Sequence, residues 1–181
     1  APESAHALRT SRAWWESTRD DPEAFTAWLL DQLRGEATAA GRIESFRDRH
    51  APVGTRAHRV LTVIARQERT HALWVGELLR ARGLPAEVLP VPERYWEQPL
   101  AQITDLETGC AVGAHAEDMR LGRLEVIARD PKAPADVRAV FARIVPQERF
   151  HERALRSLST EEALARTRDA HELGRTALGL A

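Results

Sequence analysis

Four carboxylates and two histidines constrain this chain more than anything else in it, because all six fall on apolar helical stripes. Gln67-Glu68-Arg69-Thr70-His71 and Gln147-Glu148-Arg149-Phe150-His151 each contain Glu-x-x-His. On a helix, residues three apart lie one above the other on a single face, so each pair can reach a common point. A lone glutamate precedes each motif: Glu36 by 32 residues and Glu117 by 31. The chain thus repeats a glutamate helix followed by a Glu-x-x-His helix, at a period of 80 or 81 residues.

The stripes are read from 3-and-4 spacing. Asp20-Asp21-Pro22-Glu23 starts a first long helix with an acidic cap and a proline in its first turn. Its apolar positions are Phe25, Trp28, Leu29, Leu33, Ala40 and Ile43, with Glu36 among them. His50-Ala51-Pro52 ends it, and a second helix runs from about Gly54 to Arg82 on the stripe Ala57, Leu61, Ile64, Glu68, His71, Val75, Leu78. Gly83 closes that helix in the manner of a C-cap. Pro85, Pro90, Pro92 and Pro99 follow, which argues for an extended connection over residues 83–99. At ~3.3 Å per residue it could reach about 55 Å, enough to run the length of a bundle. A third helix carries Ile103, Leu106, Cys110, Gly113, Glu117, Leu121 and Leu124. After the turn Asp130–Pro134, a fourth carries Val137, Phe141, Ile144, Glu148, His151, Leu155 and Leu158, with a kink expected at Pro146. Trp14 and Trp15 suggest a short helix before residue 20. Ser159-Thr160-Glu161-Glu162 has capping-box spacing for a last helix over about 160–174.

A chain of 181 residues fits one domain, taken as 1–181 with its core at about 22–158. The net charge of -1 provides no field to recruit nucleic acid, which is not an expected partner. Cys110 is the one cysteine, which excludes a disulfide framework, a Cys-rich zinc site and a rubredoxin-type iron site within one chain. No run of 18 apolar residues could span a membrane, and the polar Ala1–Thr10 stretch does not resemble a secretory signal. A cytoplasmic location is expected.

A lone ionised carboxylate in an apolar core costs several kcal/mol, and buried carboxylates without partners are rare. No lysine or arginine is expected on these stripes to pair with the four glutamates. Two divalent cations would neutralise them, and the donor set of four carboxylates and two imidazoles suits hard or borderline metals. The candidate metal ligands are therefore Glu36, Glu68, His71, Glu117, Glu148 and His151.

The arrangement resembles the ferritin and rubrerythrin superfamily, and Gln-Glu-Arg-x-His is similar to rubrerythrin motifs; the resemblance covers about residues 22–158. It implies an all-α, ferritin-like antiparallel four-helix bundle. One long crossover joins bundle helices 2 and 3, with short N-terminal and C-terminal helices added. It further implies two iron ions, with manganese accepting the same ligands, and reaction with O2 or peroxide. Matched by position, the family's ligands fall on the six residues above, with Glu68 and Glu148 as the bridging, catalytic carboxylates. The further glutamate that rubrerythrins carry on the third helix is missing, its candidate positions being Ala114 and Arg120. The tyrosine that many such sites place two turns after the first glutamate is Ile43 here. The sole tyrosine, Tyr95, lies in the crossover.

The function expected is an oxidoreductase: an oxidase, oxygenase or ferroxidase that activates O2 or peroxide. Its substrate would be an unidentified small molecule or Fe(II), with an external electron donor. Iron storage without an organic substrate and a dimanganese catalase-like enzyme are the alternatives, and a homodimer is left open. Cys110 reads as a buried structural thiol and Trp28 and Trp74 as packing; His58, His115 and His171 read as surface residues. Partners that orient the two ligand histidines should exist, but they are not identifiable from the sequence.

Overall fold

The structure is a computed structural model that describes residues 10–89 and 94–180; Pro90 and Pro92 of the expected crossover lie outside them. The described residues form six α-helices and no strand. These are α1 Ser11–Arg19, α2 Pro22–His50, α3 Arg56–Arg80, α4 Leu106–Arg129, α5 Ala135–Ser157 and α6 Glu161–Ala177. Two short 3-10 turns, Arg94–Glu97 and Pro99–Gln102, stand between α3 and α4.

The helix ends follow from capping chemistry. Asp21 accepts hydrogen bonds from the Glu23 and Ala24 amides at 2.9 and 3.2 Å, with Pro22 in the first turn. Thr55 caps α3 by accepting from the His58 amide. Gly83 has φ +67°, as its place after α3 requires. A reciprocal capping box does form, but at Asp105 and Thr108, where α4 begins. At α6 the cap is Thr160, through the Ala163 amide, and the Ser159 hydroxyl instead donates to the Glu107 carbonyl at 2.9 Å. Pro146 lies inside α5 without ending it.

Two hairpins make up the body. α2 packs on α3 and α4 on α5, and α3 and α5 join the two hairpins. The α3–α5 register is fixed by two side-chain bonds, Gln67 to His151 and His71 to Gln147, so the helices run antiparallel. Their crossing is close to a two-fold exchange of one Gln-Glu-Arg-x-His segment with the other. Outside it, Arg69 pairs with Glu44 on α2 and Arg149 pairs with Glu125 on α4. Glu44 is eight residues after Glu36 and Glu125 eight after Glu117, so the repeat extends to the flanking ion pairs.

Apolar side chains form two layers. One contains Leu29, Leu33, Val75, Leu79, Leu124, Phe141 and Ile144. The other contains Leu61, Ile64, Cys110, Ala111, Ala114 and Leu155. On all of α2 to α5, the candidate ligands fall between these layers in chain order. Outer elements close the ends. α1 is pinned to the α4–α5 turn by Asp130, which accepts from the Trp15 indole at 2.8 Å and pairs with Arg19 at 2.6 Å. The 94–102 segment docks on α6 because position 174 has no side chain: a Cβ there would lie 2.8 Å from the Tyr95 carbonyl oxygen.

Candidate metal centre

The six residues singled out by the repeat converge. Glu36, Glu68, His71, Glu148 and His151 are wholly buried, and Glu117 is nearly so. Their donor atoms form two groups, Glu36–Glu68–His71–Glu148 and Glu68–Glu117–Glu148–His151, in each of which one atom per residue lies within 4.8 Å of the others. Glu68 and Glu148 belong to both. Each could hold a metal ion on geometry and chemistry alike.

The distances define the roles. His71 Nδ1 lies 3.4 Å from Glu36, 3.7 Å from Glu68 and 3.3 Å from Glu148. His151 Nδ1 lies 3.1 Å from Glu68, 3.8 Å from Glu117 and 3.2 Å from Glu148. Glu148 turns Oε1 to His71 and Oε2 to His151, and Glu68 does the converse. Each central carboxylate thus spans the gap between two imidazoles whose ring centres are 5.8 Å apart.

The far side of each imidazole is held by the glutamine that opens the opposite motif. His71 Nε2 is 3.0 Å from Gln147 Oε1, and His151 Nε2 is 2.9 Å from Gln67 Oε1. An amide oxygen only accepts, so Nε2 carries a proton and Nδ1 faces the carboxylates, with His151 Nδ1 hydrogen-bonded to Glu148 Oε2 at 3.2 Å. Without a proton or cation between them, lone pair would face lone pair. His71 Nδ1, both oxygens of Glu68, Glu36 Oε2 and Glu148 Oε1 are buried and have no hydrogen-bond partner. Such a pocket of acceptors requires protons or cations at its centre.

Proton affinities show the same tension. Burial, only partly opposed by Arg120, pushes Glu36 up to about 8. Burial and the neighbouring Glu148 and Glu68 raise Glu117 well above the carboxylate range. Burial alone would lower His71, but the carboxylates of Glu148, Glu36 and Glu68 push it up to about 12. His151 rises for the same reason, against its own burial, through Glu148 and Glu68. Burial would likewise raise Glu148, yet Arg120 and the two imidazoles hold it low.

Arg120 corrects one expectation. It is one turn after Glu117, and its guanidinium reaches across to pair with Glu36 and to come within 3.8 Å of Glu148. An arginine therefore does share the inward face with the glutamates. The other half of the repeat has Ala39 at the corresponding place, so Arg120 breaks the pseudo-symmetry. Both residues line a cavity of about 460 Å³, walled largely by α2 and α4, which Glu117 also lines.

The histidine expectations also need revision. His171 is buried and its Nδ1 lies 2.8 Å from the Tyr95 hydroxyl. His115 is half-buried, stacks on His171 at 5.0 Å, and contacts the Leu164 carbonyl oxygen. His171 thus helps seat the 94–102 segment on α6, and His115 ties α4 to α6. Only the pairing of Tyr95 with α6 could have revealed this, and it is a contact across 76 residues. His58 is half-buried. Cys110 is buried and its thiol is pushed up to about 12 by burial, as suits a structural residue. Trp28 is buried in the core, and Trp74 packs 5.7 Å from the His71 ring under Arg143.

Comparison with protein-family models, with curated proteins and with solved structures finds no match. No helix among the described residues is long and apolar enough to cross a membrane.

Proposed function

We propose that this cluster is a dinuclear metal centre of the ferritin and rubrerythrin type, loaded with two iron ions, and that the protein is an oxidoreductase acting on O2 or peroxide. The observation that carries the reading is a buried group of atoms without hydrogen-bond partners (both oxygens of Glu68, Glu36 Oε2, Glu148 Oε1 and His71 Nδ1) between two imidazoles held by Gln67 and Gln147. Glu36 and His71 would serve one ion, Glu117 and His151 the other, and Glu68 and Glu148 both. Two such ions would supply the electrons that reduce O2 or peroxide, with an external donor restoring them. The residues' own part is to hold the ions, exclude water through the two apolar layers, and keep the imidazoles oriented.

Manganese accepts this donor set as well. The cavity beside Glu117 favours an enzyme with an organic substrate over a pure iron store, because a store needs no apolar chamber against its ligands. Neither candidate position for the further rubrerythrin glutamate, Ala114 or Arg120, carries a carboxylate, which favours oxidase or oxygenase work over peroxide reduction. The test is anaerobic loading with Fe(II), followed by O2 uptake in an oxygen electrode. Rapid uptake well above the rate for free Fe(II), lost in Glu148→Ala, is the expected result. Uptake equal to the buffer control would refute the redox reading.

A further inference from the structure

The cavity has an anchor that the metal centre does not use. Arg123 lines it, one turn beyond Arg120 on α4. Of the other arginines that line it, Arg34 pairs with Asp31, Arg120 pairs with Glu36, Arg42 lies 4.2 Å over the Trp96 ring, and Arg94 is exposed. Arg123 forms no ion pair among the described residues. Its Nε is buried without a hydrogen-bond partner, and its guanidinium lies 4.9 Å over the Trp14 ring. Burial, reinforced by the neighbouring Arg175, lowers its pKa to about 10, so the environment works against the bare cation. A half-buried guanidinium without an ion pair, at the wall of an apolar chamber, suits a planar anion that it can grip with two bonds.

The rest of the chamber defines what the anion is attached to. Its walls include Trp28, Ile43, Phe46, Val112 and Leu155. Gly35 and Ala39 on α2, with Gly113 and Ala116 on α4, leave the space open, and no atom lies within 4 Å of where a Gly35 Cβ would stand. At 1.5 Å per residue, Arg123 and Glu117 are ~9 Å apart along α4. A ligand held by its head at Arg123 therefore lies with its body, not its charge, beside the metal ligands.

We propose that this cavity binds an amphipathic monocarboxylic acid, with its carboxylate on Arg123 and its apolar body laid along α4 toward Glu117. This rests on the proposed oxidoreductase only for calling the ligand a substrate; the binding itself is a property of the cavity. Arg123 carries a single positive charge, which suits a monocarboxylate better than a phosphate dianion. The length of the apolar trough makes a medium alkyl or aryl-alkyl chain the natural body.

Octanoate is the probe, with octanol and octylammonium as the neutral and cationic controls. Titrations follow the fluorescence of Trp14 and Trp28, and are run on the metal-loaded and the metal-stripped protein. Saturable octanoate binding in both states is expected, at least tenfold tighter than either control. Arg123→Gln should weaken octanoate about tenfold and leave octanol unchanged, with helicity by circular dichroism and metal content as in the parent. Arg123→Lys should recover part of the loss. Gly35→Leu fills the chamber from α2 and should weaken octanoate and octanol together, which tests the cavity even if the arginine variants misfold. Octanol binding as tightly as octanoate, or octanoate unaffected by both Arg123→Gln and Gly35→Leu, would overturn the proposal. Octanoate binding only when metal is present would also overturn it, because the carboxylate would then be a metal ligand. Failure of the protein to take up metal while octanoate still binds would sink the oxidoreductase reading alone.

Discussion

At the scale of single residues, the two imidazoles are aimed and not merely present. Gln67 and Gln147 do the aiming across the helix pair. Replacing either by Leu removes the acceptor for Nε2–H and frees the ring to rotate or change tautomer. A 10–100-fold loss in metal affinity is expected, measured by competition with a chelator; an unchanged affinity would show that packing alone orients the ring. Protonation follows from the same atoms. Glu36 is pushed up to about 8, Glu117 is raised, and both histidines are raised, so the metal-free cluster retains protons at neutral pH. Metals must displace them, so loading releases protons and affinity falls as pH falls, first below about 12 where His71 takes its proton and more steeply below about 8 where Glu36 does. A pH indicator in weak buffer should record that release, and loading without it would contradict the account. The six clustered residues were legible because periodicity reports which face of a helix a residue occupies. Arg120 was not, since a long flexible side chain can reach a carboxylate on another helix. The glutamines were visible in both motifs, but their targets are set by the α3–α5 register.

At the scale of elements, caps and stripes were readable and docking was not. Asp21-Pro22, Gly83 and the stripes of α2 to α5 stand where spacing placed them. The burial of His171 escaped because it depends on how the 94–102 segment meets α6. That contact is testable through glycine. In an unobstructed helix, Gly→Ala stabilises by about 0.5–1 kcal/mol. Gly41 on α2 has nothing within 4 Å of a Cβ, so Gly41→Ala should raise the melting temperature. Gly174 on α6 is the opposite case, because its Cβ would meet the Tyr95 backbone. Gly174→Ala should destabilise by about 1–3 kcal/mol, at roughly 2–4 °C per kcal/mol. Equal shifts in thermal unfolding for the two variants would mean that the segment does not dock on α6 as described.

At the scale of the whole molecule, two similar hairpins bury a charged layer between apolar ones. The 80- to 81-residue repeat already implied that two halves meet around a point, and the antiparallel crossing of α3 and α5 is how they meet. What the repeat could not convey is where the halves differ. Arg120 stands where the other half has Ala39, and both line the cavity, so the two halves differ beside it. The central claim is that cations neutralise the buried glutamates. It is tested most directly by metal content per chain after expression in iron-rich and in manganese-rich media. About two ions per chain are expected, with both lost in Glu68→Ala and in Glu148→Ala while helicity is kept. A parent protein that folds with no bound metal in either medium, or a Glu68→Ala variant that retains both ions, would contradict it.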